Sequence, residues 1–326
     1  LVKAIRRILV AVKDPEARQF PAVEKAAQLA LASGASIELF HAISEPVYAD
    51  FELTQESLQD LEASRSTRYW SRLEGIALGL RRRNIKVRTS AAWDFPTHES
   101  IVRRALAVKA DLIIAECHAG RRLAPWLLHL TDWELLRTSP LPVLLVRTPH
   151  LYERPIVLAA VDPGHAHAKP SGLDQVIMSQ AAGMARLFSG SVHAMHAYFP
   201  IPLDAPLSFS DNQVEQLYTK VELRARTAFE RCARRAHVSK ARQHLVRRNP
   251  VEAIPETAKE VGADLVVMGA VSRSGLKRVF IGNTAERVLN QLHCDVLVVK
   301  PRHFARRISL KRRGVNIVPP ALAYAV

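Results

Sequence analysis

The sequence predicts a parallel α/β fold built twice along one chain, and two observations carry that expectation. The first is an internal repeat: ADLIIAE at 110–116 and ADLVVMG at 263–269 lie 153 positions apart, as do TDWELLRTSPLPVLLVR at 131–147 and TAERVLNQLHCDVLVVK at 284–300. Upstream, ASIELFHA at 35–42 matches GSVHAMHA at 190–197, and ILVAV at 8–12 matches VLAAV at 157–161, with offsets that drift by a few residues as loop insertions would cause. Two copies of one unit follow. The second observation is that short, continuously apolar runs alternate with helical patterns, the mark of parallel strands covered on both faces.

The second copy shows the elements in order. PIVLAAV at 155–161 is an apolar, β-branched strand; a helical stretch follows near 171–187, then a strand near 191–197 and a long amphipathic stretch near 210–237. After these come the short run QHLVRR, a helix near 251–261, the strand ADLVVM, a helix from about 283 to 292 and the strand DVLVVK. TPHLYERP at 148–155 places two prolines between the copies. The expected domains are 1–150 and 151–301, with a basic tail at 302–326.

Composition narrows the class. The chain has 326 residues, 48% of them hydrophobic and 6% aromatic, and no stretch reaches the roughly 18 uninterrupted apolar residues that a membrane span needs. LVKAIRRILVAVKD sets basic residues ahead of an apolar run, but that run meets Lys13 and Asp14 without a small-residue cleavage site, so it reads as a first strand. Cys117, Cys232 and Cys294 are odd in number and far apart, which suits a reducing, cytoplasmic setting. The net charge of +15 is uneven, because six of the cations (Arg302, Arg306, Arg307, Lys311, Arg312 and Arg313) stand in the tail with no acid beside them. No aromatic residues are interleaved to stack bases, so a nucleic-acid partner is not expected.

In parallel α/β folds a ligand crevice lies outside the carboxyl ends of the strands, where the strand order reverses. The stretch VVMGAVSRSGLKRVFIGNTAERVL at 266–289 sits there, directly after a strand. Gly269 lets the backbone turn sharply and approach a ligand. Gly282, Asn283 and Thr284 open a helix whose first N–H groups can point at an anion, and Ser272, Arg273, Ser274, Lys277 and Arg278 add donors and positive charge. Turn and helix-cap chemistry alone would account for the same residues.

MGAVSRSGLKRVFIGNTAERVL resembles the nucleotide-binding segment of the universal stress protein family, whose pattern is G-x2-G-x9-G-[ST] after the fourth strand. The resemblance extends to VLAAVDP, to HA at the end of the second strand, to GADLVVMG and to CDVLVVKP, and covers about residues 5–301. It is to the tandem two-domain type, in particular the universal stress protein E subgroup, which the TDW-x-LLR segment at 131–137 also resembles. It implies a Rossmann-like, five-stranded parallel sheet in each copy, with helices on both faces. It further implies ATP or a related adenine nucleotide at the strand ends, with no metal other than a nucleotide-associated Mg. Asp162 would then meet the ribose or base, Ala197 would flank the adenine through its backbone, Met268 and Gly269 would form the floor, and Gly282, Asn283 and Thr284 would hold phosphate. Two positions depart from the pattern: Ser272 replaces the second glycine, and Asn283 stands where Ser or Thr is expected.

In the first copy the corresponding positions oppose an anion: Glu116 stands for Gly269, Ala119 for Ser272, His129 for Gly282 and Leu130 for Asn283, while Lys13 or Asp14 stands for Asp162. The first copy is therefore expected to keep the fold and lose the nucleotide. Relatives with one domain imply dimers through their last strands, so the chain is expected to be its own pseudo-dimer, with 142–147 beside 296–300, or to pair with a second copy.

Other constellations carry less. His165, His167, His193 and His196 lack metal-ligand spacing, and Cys117 with His118 point apart on an extended chain. No residue is identifiable as a base for a water, and no Walker lysine follows the glycines, so catalysis is not expected. Two readings remain: a nucleotide-binding stress or signalling factor, and a non-catalytic scaffold or carrier of a non-nucleotide ligand such as an amphiphile.

Overall fold

The computed structural model describes residues 5–48, 54–116, 125–165, 172–199, 211–269, 283–301, 304 and 308–318, without the side chains of 55, 125–130, 165, 211–214, 283 and 284. The described chain forms two compact units: residues up to Leu151 together with 308–318, and Tyr152–Phe304.

In the first unit the elements run β1 (Arg7–Ala11), α1 (Pro21–Ser33), β2 (Ser36–Ile43), β3 (Val47–Tyr48), α2 (Gln55–Arg82), β4 (Val87–Trp93), α3 (Thr97–Ala107), β5 (Leu112–Glu116), α4 (Pro125–Thr138) and β6 (Val143–Val146). Five of these strands form a parallel sheet in the order β4-β2-β1-β5-β6. The second unit repeats the plan with β7 (Ile156–Ala160), α5 (Leu173–Leu187), β8 (Ser191–Tyr198), α6 (Asp211–Arg235), β9 (Gln243–Arg247), α7 (Pro250–Glu260), β10 (Leu265–Gly269), α8 (Asn283–Gln291) and β11 (Asp295–Val299), in the order β9-β8-β7-β10-β11.

The local causes are simple. Central strands such as LVVMG of β10 are buried along nearly their whole length, which removes any solvent face and demands the continuous apolar run. Side-chain caps mark some helix starts: Thr54 and Ser57 form a reciprocal capping box at α2, and Asn249 accepts from Val251 N at α7, where Pro250 takes the first helical position. Because parallel crossovers are right-handed, the connections running out from β1 towards β4 lay their helices on one face and those running to β5 and β6 on the other. The packing of α3 on α4, and of α7 on α8, agrees with that division. The strand order reverses between β1 and β5, and again between β7 and β10. Those two gaps position the candidate sites.

The basic C-terminal stretch is not a free tail in its described part. Residues 308–318 fold back on the first unit, where β12 (Ile317–Val318) pairs in parallel with β3. Arg313 N donates to Asp94 Oδ1 at 2.9 Å, and its guanidinium meets Glu99 at 2.9 Å. Asp94 also holds the buried Arg103 at 2.8 Å, and Arg103 donates to the Ser309 carbonyl at 3.2 Å. Part of the tail's positive charge is thus used internally. Tyr152, in the connecting segment, is likewise anchored: its hydroxyl donates to Asp295 at 2.8 Å in a buried setting, and burial followed by that carboxylate raises its pKa far above the usual phenol value.

Candidate functional site

At the second-unit gap, β7 ends at Ala160 while β8 continues to Tyr198. Val161 N donates to Met195 O at 3.0 Å, and His196, one residue on, places Nδ1 3.1 Å from the Val161 carbonyl. A carbonyl only accepts, so Nδ1 of the buried ring carries a proton. Asp162 follows at the strand end with a half-exposed carboxylate whose Oδ1 lies 3.8 Å from His196 Nδ1. Its backbone N–H donates to Asp174 Oδ1 at 2.9 Å, in the first turn of α5. Ala197 is buried beyond the last β7 pair, and Met268 is buried at the end of β10 beside Gly269.

Four of the expected site residues, Asp162, Ala197, Met268 and Gly269, therefore gather at the ends of the β7, β8 and β10 strands. Asn283 and Thr284 open α8 as expected, although their side chains lie outside the described atoms; Ser272, Arg273 and Gly282 lie outside the described residues altogether. Gly269 also has a packing reason. A Cβ there would meet Leu173 Cδ2 at 2.7 Å, so its missing side chain lets α5 pack against β10. Asp174 was not anticipated here, and His196 only as one of several histidines without metal-ligand spacing. The only sequence signals were an acid in a first helical turn and the HA dipeptide at the strand end.

The first unit has the same scaffold with inverted charge. Val12 N donates to Phe40 O at 2.8 Å, and His41 Nδ1 lies 2.9 Å from the Val12 carbonyl, so Val12 and His41 stand where Val161 and His196 do. This register resolves the one-residue ambiguity: Lys13, not Asp14, is the counterpart of Asp162. Burial lowers the His41 pKa, against the opposing pull of the Val12 hydrogen bond and Asp14. Lys13 Nζ is buried and has no hydrogen-bond partner among the described residues. Glu116, in the place of Gly269, does not project its charge into the gap unmatched; its Oε1 accepts from Ala22 N at 3.1 Å and offsets the start of α1. A cleft of about 390 Å³ opens here, lined among others by Lys13, Asp14, Phe20, Glu116, Arg147 and Pro149. Asp132, near enough to feel both Lys13 and Arg147, has its pKa pushed up to about 6, chiefly by burial, with those two cations pulling the other way. Ala119 lies outside the described residues, and so do the side chains of His129 and Leu130.

The histidines divide. His193 Nδ1 lies 3.0 Å from His244 Nε2 with the rings stacked, burial lowers both pKa values, and His196 belongs instead to the strand-end turn. His167, Cys117 and His118 lie outside the described residues, as does the side chain of His165. Among the described residues no group of three or more His, Cys, Asp or Glu could hold a metal ion.

The duplication of the fold agrees with what comparison with known proteins finds. The model of the Universal stress protein family fits residues 4–147 and again 154–300. The chain belongs to the universal stress protein family. Over 316 residues it is 25% identical to Universal stress protein E of Salmonella typhi, covering 94% of this chain and 98% of that one. The corresponding protein of Escherichia coli K12 is 25% identical over 314 residues, again with 94% and 98% covered. Among solved structures, a putative universal stress protein from Pseudomonas aeruginosa UCBPP-PA14 is similar with a TM-score of 0.68 at 28% identity, covering 92% of this chain and 95% of that one. A universal stress protein from Archaeoglobus fulgidus, at 16% identity, shares the fold with a TM-score of 0.63 over 91% of this chain and 98% of its own. Among the described residues no helix of this universal stress protein is long and apolar enough to cross a membrane.

Proposed function

We propose that the second repeat binds an adenine nucleotide, ATP or a close relative, and that the chain acts as a stress or signalling factor through that binding rather than by catalysis. The observation that carries the reading is the convergence of Asp162, Ala197 and Met268 at the strand-order reversal, with α8 beginning at Asn283 immediately after Gly282. The described residues fit such a ligand in kind. The half-exposed Asp162 carboxylate is an acceptor for a ribose hydroxyl, the Ala197 backbone at the end of β8 would flank a base with the buried Met268 as floor, and the first N–H groups of α8 suit phosphate. A Mg ion would arrive with the nucleotide. The test is calorimetry of the full chain with ATP and ADP. Wild-type protein should bind with modest affinity, Gly282→Val should abolish binding by filling the close-approach position, and Asp162→Ala should weaken it. Absence of binding to folded wild-type protein at millimolar nucleotide would reject the proposal.

A carrier of a non-nucleotide ligand is the competing reading, favoured by Ser272 in place of the family's second glycine. Native mass spectrometry of protein purified without added nucleotide separates the two by the mass of what co-purifies.

A further inference from the structure

The first repeat, whose sequence opposes the family's phosphate loop, contains a differently built feature at the same topological position. Lys13 leaves the end of β1 at the strand-order reversal, and its ammonium is buried without a hydrogen-bond partner among the described residues. The Asp132 carboxyl, which feels both Lys13 and Arg147, offsets part of the charge, but it makes no hydrogen bond to the ammonium, whose lost hydration bonds go uncompensated. The cost falls if an oxygen from outside the chain completes the site. The surroundings suit that role. Arg147, leaving β6, brings a second cation to the same cleft; Glu116 is held by Ala22 N at the start of α1; and the Asp14 carboxylate accepts from Glu16 N at 2.8 Å within its own loop. Phe20 and Pro149 add apolar wall, and about 390 Å³ is room for a small metabolite.

We propose that this first-repeat cleft is an oxyanion site, in which Lys13 with Arg147 receives the phosphate or carboxylate group of a small metabolite. The site is separate from the nucleotide site proposed for the second repeat and does not depend on it. Its logic is also different. The second repeat offers helix N–H groups after a glycine, whereas the first offers side-chain cations at the end of β1 and β6.

Calorimetry of the full chain with sulfate, phosphate and acetate, against chloride at equal ionic strength, tests the assignment. Sulfate stays a dianion from pH 5 to 8, so its titration reports the protein alone. Saturable binding of at least one oxyanion is expected, weakened about tenfold or more in Lys13→Met, as loss of a charge-assisted hydrogen bond implies. Lys13→Arg should retain binding, with circular dichroism confirming that both variants fold. Preference for sulfate and phosphate assigns a phosphate-bearing ligand; preference for acetate assigns a carboxylate. In Gly282→Val, which removes any oxyanion binding at the start of α8, the Lys13-dependent binding should remain, so the site stands or falls apart from the nucleotide reading. No saturable binding beyond chloride, or binding that survives Lys13→Met in full, would overturn it.

Discussion

Asp132 and its counterpart at the repeat offset, Ala285, have parted furthest in chemistry. Ala285 is a buried methyl, whereas the Asp132 carboxyl is pushed from 3.8 up to about 6 by burial, despite Lys13 and Arg147. Between those two pH values the folded chain keeps a proton that the unfolded chain releases. This group therefore makes stability fall as pH rises through the window, and contributes a constant penalty above it, at most about 3 kcal/mol at roughly 1.4 kcal/mol per unit. Asp132→Asn should remove that fall and gain stability at neutral pH, while Lys13→Met should move the fall to higher pH. Burial lowers the pKa of His41 and His98, and lowered histidines give the opposite slope. The informative quantity is hence the difference between wild-type and variant urea-unfolding profiles from pH 4 to 7; parallel profiles would show that the carboxyl is well solvated. Gly269 makes a second prediction at this scale. With Leu173 buried and 2.7 Å from the added carbon, Gly269→Ala should cost about 1–3 kcal/mol, and Leu173→Ala should reduce that cost in a double-mutant cycle.

Among the elements, those that bury both faces were legible and those that serve a contact were not. The second-unit strands and helices fall within a few residues of their expected limits; α6, for example, spans Asp211–Arg235 where periodicity suggested 210–237. Burial on both faces writes an uninterrupted apolar run into the sequence, and an amphipathic helix writes its period. The β12 strand has two residues and owes its place to β3, so no periodicity could announce it. The exchange of Asp162 for Lys13 was ambiguous for a related reason: a loop insertion hides the register, and only the Val12 and Val161 hydrogen bonds define it. The docked C-terminal stretch carries its own expectation. Asp94 joins Arg103 and the Arg313 backbone in one buried cluster, and removing the acid leaves the buried guanidinium with Glu99 as its remaining carboxylate. Asp94→Ala should cost up to about 3 kcal/mol, the low end for breaking a buried pair. Deleting residues from 305 onward should cost less, because Asp94 and Glu99 still hold Arg103. Equal losses in thermal unfolding would mean that the pairing with Arg103 is not what stabilises the cluster.

For the whole molecule, the duplicated scaffold and the unequal chemistry of its two gaps lead to a statement about stoichiometry. Each repeat keeps the strand-end turn around a buried histidine, His41 in one and His196 in the other, so duplication has preserved the frame. The reacting surfaces differ by charge: Asp162 with Gly269 in the second repeat, Lys13 with Glu116 in the first. An adenine nucleotide needs an acceptor for its ribose and unobstructed N–H groups for its phosphates, and only the second repeat combines an acid at the first position with the glycine-led start of α8. One nucleotide per chain is therefore expected. Glu116→Ala should leave that number at one, since removing a carboxylate bound to Ala22 N supplies neither glycine nor helix start; its cost should instead appear as about 1 kcal/mol of stability lost at the α1 terminus. Phosphate groups can also visit the Lys13 cleft, so the titration is best run with and without sulfate, which competes for that cleft and, at α8, only with the nucleotide's phosphates. A single site under both conditions, abolished by Gly282→Val, meets the expectation. Two equivalent sites in the presence of sulfate, or one that disappears with Lys13→Met, would show that the repeats have not divided their chemistry in this way.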